Sequence, residues 1–153
     1  MSEWIPSREW ESIVKNVPIV SVDIVVDCPA GIVLGRRSNE PARDEWFVPG
    51  GRVRKGEQLR EAVHRVAEEE LGTEVEIRKD MGAFEHFYET SEVGCEKHYV
   101  AHGFHVQTEA TSFDCDKQHK EVVVFEEPPS NLHKYVNEYL TAAGIHSTSN
   151  QTN

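Results

Sequence analysis

Gly51–Thr73 reads GRVRKGEQLREAVHRVAEEELGT, and this stretch decides most of the fold. Leu59, Ala62, Val63, Val66, Ala67 and Leu71 recur at helical spacing, so a helix is expected over Glu57–Leu71 with one apolar stripe. Gly72 follows as a left-handed stop. Arg65 and Glu69 stand four apart and share a face. Glu68, Glu69 and Glu70 repel one another unless a cation compensates, either an arginine or a divalent ion. Carboxylate oxygens suit magnesium, which also binds phosphates. A solvated acidic face explains the same charges equally well. The turn ahead of the helix, Pro49-Gly50-Gly51-Arg52, can present carbonyls and a guanidinium beside it.

Upstream, Trp10, Ile13, Val14 and Val17 mark a helix over Ser7–Val17, with Ser7 as its expected cap. Ile19–Val26 is β-branched and nearly all apolar, the pattern of a strand buried on both faces. Asp23 interrupts it. A carboxylate there costs several kcal/mol, roughly, unless partnered, so Asp23 is expected to face a polar cavity; an edge or a bulge is the alternative. Further strands are expected at Ile32–Arg37, Trp46–Val48, Glu74–Lys79, Ala83–Glu89, His98–Gln107 and Gln118–Glu126. Pro49-Gly50-Gly51 is read as a stop. A closing helix over Asn131–Ala143 carries Leu132, Tyr135, Val136, Tyr139 and Leu140 on one face, with the tyrosines read as core or a dimer face. The order predicts an α/β sandwich, helices packed on a mixed sheet. One domain is expected over residues 1–146, with helix 7–17 packed on it or at a dimer interface, and a polar tail over 147–153.

Composition excludes other classes. The 153 residues are 38% hydrophobic and 28% charged, neither membrane-like nor disordered, and no apolar run approaches the roughly 20 residues of a spanning helix. Met1-Ser2-Glu3-Trp4 has no basic and apolar leader pattern, so no signal peptide is expected. A net charge of −11 repels nucleic-acid backbones, while a nucleotide can still bind through a few placed arginines and a metal. The acidity suits an ordinary or a salty cytoplasm. Cys28, Cys95 and Cys115 lack paired spacing, which fits a reducing, cytoplasmic compartment. His98 and His102 share a strand face and His105 points away, so no three-histidine metal site is expected. His64, His133 and His146 read as surface residues.

With these residues in view, Gly51–Thr73 resembles the Nudix box, G-x5-E-x7-R-E-U-x-E-E-x-G-U with U apolar. Gly51, Glu57, Arg65, Glu69, Glu70 and Gly72 fit it; Val66 replaces the glutamate after the arginine, and Thr73 the last apolar residue. That glutamate normally helps to hold metal and activate water for attack at phosphorus. From about Val17 to about His133 the flanks resemble one subgroup, the GDP-mannose mannosyl hydrolases, which also lack that glutamate. The resemblance runs through Pro18–Asp23, Leu34–Arg37, Trp46–Val53, His86–Tyr88, His98–Val100 and Gln118-His119.

The resemblance implies a Nudix-type α/β/α sandwich with the box as a loop–helix–loop. It implies magnesium-dependent hydrolysis of GDP-mannose, or a related GDP-hexose, to GDP and free sugar. Water would attack the anomeric carbon with inversion, His119 acting as general base. Gly50, Glu70 and Gln118 would hold Mg2+, with Mn2+ as a substitute; Glu69, which the subgroup need not have, leaves room for a second ion. Arg37, Arg52 and Tyr99 would grip the diphosphate, Asp23 and His86 would line the sugar pocket, and Arg65 would orient Glu70 or the glycine turn. The partner would be a small nucleotide sugar and the assembly a homodimer. Two alternatives stand beside this: a Nudix pyrophosphohydrolase splitting an NDP-sugar or ADP-ribose, and a non-catalytic nucleotide-sugar-binding regulator.

Overall fold

A computed structural model describes residues 5–113 and 119–145, without the side chains of His119 and Lys120. The elements are α1 (Ser7–Asn16), β1 (Ile19–Cys28), β2 (Gly31–Arg37), β3 (Trp46–Phe47), β4 (Gly50–Arg52), α2 (Leu59–Leu71), β5 (Glu76–Tyr88), β6 (Lys97–Gln107), β7 (His119–Phe125) and α3 (Lys134–Ala142). One mixed sheet runs β3-β2-β1-β6-β5, with β7 on the other edge of β2. The pairing of β1 with β6 is parallel and the others are antiparallel.

β1 is the spine, which explains its continuous apolar run. On one edge it meets β6 from Ile19 to Asp27. Its other edge is shared: Val26–Cys28 pair with β2, whereas Ser21–Asp23 pair with β4. The far half of β2 pairs instead with β3. The chain from Trp46 to Arg52 thus bridges a fork where β1 and β2 part, and the Pro49 carbonyl between its two short strands accepts from Ile24 N–H at 2.9 Å.

Each face of the sheet has its own core. The even positions Val22, Ile24 and Val26 pack with Phe104 and Val106 against Ala62, Val63, Val66, Ala67 and Leu71 of α2. The odd position Val25 joins Leu34, Phe47, Leu132 just ahead of α3, and the Tyr135, Val136, Tyr139 and Leu140 stripe of α3. The apolar stripes read from sequence are these two contacts.

Several expectations change. Asp23 is on an interior strand, at neither an edge nor a bulge. Gly50 and Gly51 continue the sheet as β4, because backbone pairing to β1 does not depend on side chains. One strand, β5, replaces the two expected; register shifts at Ile77/Lys79 and Asp80/Gly82 absorb the polar break, and Gly82 takes a φ of 88°. Pro6, not Ser7, is the N-cap of α1 and makes no side-chain cap bond. α2 begins two residues late, where the Glu61 carboxylate accepts from Gln58 N–H at 2.8 Å. His133 is the N-cap of α3, accepting from Tyr135 N–H at 3.1 Å, rather than a plain surface residue.

Candidate active site

A cavity of about 650 Å³ opens at the fork. The sheet supplies Asp23, Arg37, Arg52, His86 and Tyr99, and α2 supplies Arg65, Val66, Glu69 and Glu70. The structure therefore brings together the expected residues that it describes. His119 opens β7 with its backbone in register with Arg37; its side chain, and Gln118, lie outside the described residues.

Asp23 and Gly50 are register partners. A side chain at Gly50 would collide with the Asp23 carboxylate and lie 2.8 Å from the Val22 carbonyl, so only glycine fits. Tyr139 O–H donates to Asp23 Oδ2 at 2.6 Å. Burial pushes the Asp23 carboxyl up to about 6, opposed by that hydrogen bond and by the Arg37 charge. Arg37 is anchored by its Nε–H to the Pro41 carbonyl at 2.7 Å. His86 is 2% exposed and stacks on Tyr135 at 3.9 Å. Its Nε2 has no hydrogen-bond partner among the described residues. Burial, then the nearby His133, lowers its pKa to about 4, so His86 is neutral at physiological pH.

Arg65 organises the box. Its guanidinium donates to both Glu57 oxygens at 2.7 and 2.9 Å, to Glu69 Oε1 at 3.0 Å and to the Arg52 carbonyl at 2.8 Å. It thus holds the glycine turn, as one of its two expected roles required. Arg54 takes the other Glu69 oxygen at 3.2 Å. Glu70 is buried and accepts from Gly50 N–H at 3.3 Å. Val66 is 1% exposed and sits beneath Gly51, where a Cβ would lie 3.1 Å from its Cγ2.

These donors fit a hard divalent ion. The buried Glu70 carboxylate, the Gly50 carbonyl and Glu69, whose oxygens Arg65 and Arg54 hold, are oxygen donors among the residues that line the cavity. Among the described residues no three His, Cys, Asp or Glu side chains come together as a ready-made metal cage. The β6 histidines lie apart, His102 on Asp80 and His105 on Asp27.

Sequence reasoning passed over four contributors. Tyr139 reads as core, and it is fully buried, yet its hydroxyl serves Asp23. The signal was Asp23 itself, a buried carboxylate that needs a donor. Trp10, Glu92 and Lys97 also line the cavity; nothing in their spacing pointed there.

The NUDIX domain family matches residues 17–141. The chain belongs to that family. At this level it is a Nudix hydrolase, and the Nudix fold is the one described above. It is 54% identical over 140 residues to the low-salt glycan biosynthesis protein Agl8 of Haloferax volcanii, covering 90% of each chain. It is 34% identical over 67 residues to an ADP-ribose pyrophosphatase of Methanocaldococcus jannaschii, covering 44% of this chain and 40% of that one. Among solved structures, the MutT NUDIX hydrolase of Burkholderia pseudomallei superposes with a TM-score of 0.66 at 22% identity, covering 82% of this chain and 97% of that one. This last likeness is one of fold.

Proposed function

We propose that this Nudix protein hydrolyses a GDP-hexose, GDP-mannose first among them, by attack of water at the anomeric carbon. The observation that carries the reading is Val66. Where the box has its glutamate, this chain has a buried valine under the glycine turn, so the carboxylate that supports attack at phosphorus has no counterpart there.

The remaining groups suit departure of a diphosphate. Glu70, the Gly50 carbonyl and Gln118 would hold magnesium, whose charge would ease loss of the diphosphate, with Glu69 left for a second ion. Arg37 and Arg52 neutralise the same oxygens, with a hydrogen bond from Tyr99. At neutral pH Asp23 is mostly ionised and favours positive charge growing on the sugar ring. His86, neutral and with an Nε2 that has no partner among the described residues, would meet a sugar hydroxyl. As water oxygen bonds to the anomeric carbon, the bond from that carbon to the β-phosphate oxygen breaks, its electrons stay on phosphate, and the water proton passes to His119. Similarity to a glycan biosynthesis protein supports a nucleotide sugar as substrate. The setting is cytoplasmic and the assembly a homodimer.

A pyrophosphohydrolase is the second reading, favoured by the retained Glu69 and by the partial likeness to an ADP-ribose pyrophosphatase. Phosphorus NMR of GDP-mannose turnover in 18O water with magnesium decides between them. GDP without label, and labelled mannose, supports attack at carbon. GMP plus mannose 1-phosphate replaces it with the second reading. A nucleotide sugar that binds and is never turned over makes the protein a sensor.

A further inference from the structure

We propose that Trp10, Glu92 and Lys97 form a clasp that positions Arg52 and Tyr99, the groups that grip the diphosphate from either side of β1. This rests on the nucleotide-sugar reading above and makes α1 a working part of the site.

Arg52 lies on β4 and Tyr99 on β6, and these strands pair with opposite edges of β1. Tyr99 is in register with Ile19, and Arg52 with Ser21, two residues further along. Side chains two apart on a strand share a face, so both groups reach the cavity at one end of β1. Backbone pairing sets where each Cα stands. It does not set the rotamers of a long guanidinium on a three-residue strand.

Trp10 arrives from α1, one turn ahead of the buried Val14. Its ring centroid lies 5.6 Å from Arg52 Cζ and 5.4 Å from Lys97 Nζ, so one ring meets cations from both flanks of β1. At that range the ring attracts each cation and narrows the positions it takes. Lys97 stands two residues before Tyr99 on the same strand face, and its ammonium lies 5.0 Å from the Tyr99 ring centroid. Both Glu92 oxygens accept from that ammonium, at 2.9 and 2.8 Å, and Trp10 Nε1–H donates to Oε2 at 2.9 Å. Glu92 therefore ties the indole and the ammonium to one point. Burial pushes its carboxyl up, and the bonds from Lys97 and Trp10 outweigh this and hold it below the ordinary value.

Lys97 is 5% exposed, and an ion pair with so buried a cation contributes little net stability. What it supplies is geometry. A diphosphate that finds Arg52 and Tyr99 already in place orders fewer side chains on binding. Donors fixed in advance also stabilise best the charge that grows on a departing diphosphate. Trp10, Glu92 and Lys97 act through Arg52 and Tyr99 and are positioning residues.

The test is calorimetric binding of magnesium GDP to the full chain in two double-variant cycles, Trp10→Leu with Arg52→Met and Lys97→Met with Tyr99→Phe. Arg52→Met and Tyr99→Phe are each expected to weaken GDP at least about tenfold. Trp10→Leu is expected to weaken it about tenfold in wild type, and by less than about threefold in the Arg52→Met background. Lys97→Met should lose its effect in the same way in the Tyr99→Phe background. Trp10→Phe keeps an aromatic face for both cations and should recover most of what Trp10→Leu loses. Equal losses in both backgrounds, or a Trp10→Phe no better than Trp10→Leu, overturn the inference and leave the cluster a strut for α1. If Lys97→Met fails to fold, the Trp10 cycle alone decides. GDP that does not bind wild type, or that binds Arg52→Met and Tyr99→Phe as tightly as wild type, defeats the diphosphate grip and with it the nucleotide-sugar reading. Additive cycles with the grip intact defeat only the clasp.

Discussion

Tyr139 on the last helix donates its hydroxyl to Asp23 in the middle of the first strand, at 2.6 Å. The carboxyl it serves is raised from 3.8 to about 6 mainly by burial. Between those values the folded state holds the proton more tightly than the unfolded chain, so stability falls as pH rises through the window. Above about pH 6 the fold carries the whole cost, at most roughly 3 kcal/mol. Asp23→Asn keeps an acceptor for Tyr139 and removes the charge. It is expected to raise Tm at pH 7 while lowering turnover by at least about a hundredfold. The gain in Tm should shrink toward acid pH. Thermal melts beside initial rates measure both, and a variant no more stable at neutral pH contradicts the cost assigned to Asp23.

His86 imposes the opposite slope. Its pKa falls from 6.5 in the unfolded chain to about 4 in the fold, so the unfolded state binds more protons between these values. Its contribution is fully present above about pH 6.5 and is lost on acidification toward about pH 4. In wild type the Asp23 and His86 slopes oppose one another. In Asp23→Asn the opposing slope of Asp23 is gone, and stability should fall more steeply with acid than in wild type, by up to about 1.4 kcal/mol per pH unit. In His86→Phe the change should have the reverse sign. Urea denaturation across this range reads the slopes, and parallel curves for the three proteins refute the pairing.

Gly50 and Gly51 are adjacent and differ in tolerance. A Cβ at Gly50 meets the Asp23 carboxylate and the Val22 carbonyl; one at Gly51 meets only Val66 Cγ2, at 3.1 Å. Gly50→Ala is expected to cost more than about 3 kcal/mol or to abolish turnover, and Gly51→Ala about 1 kcal/mol. Equal losses in denaturation would show that the turn yields as a unit.

Arg65 binds Glu57, Glu69 and the Arg52 carbonyl through one planar fork. Arg65→Lys retains the charge and cannot make all of these bonds. Because Glu57 and Arg65 are partly buried, a loss of about 1–3 kcal/mol is expected. The magnesium concentration for half-maximal rate should rise as Glu69 loses one of its two anchors and keeps only Arg54. A variant matching wild type in both would reduce Arg65 to a surface charge.

How much of this was legible depends on what each residue answers to. The stripe from Leu59 to Leu71 was readable because burial on one helix face imposes a period. Asp23 was readable as an anomaly, since a lone carboxylate in an apolar strand needs a polar reason. The β4 pairing was hidden, because Gly-Gly carries no side-chain pattern and joins the sheet through backbone alone. Tyr139 was hidden because its ring obeys the apolar stripe of α3 while its hydroxyl serves another element. Trp10, Glu92 and Lys97 meet only in three dimensions, with Trp10 and Glu92 82 positions apart.

Val66 offers the sharpest contrast between scaffold and chemistry. It is 1% exposed and packed with Val63, Ala67 and Val22, while its edge reaches the cavity. Val66→Glu restores the box sequence but brings a carboxylate into that packing. Without a cation the new charge is expected to cost several kcal/mol, of the order of 3–5. With magnesium, a ligand set enlarged by the introduced carboxylate would bind the folded state more tightly, so the metal should raise Tm further in the variant than in wild type. If that added stabilisation appears together with GMP among the products, the residue at this position sets which bond breaks. If magnesium shifts both melting curves equally, the valine is a packing residue and the preference for carbon over phosphorus must come from elsewhere in the cleft.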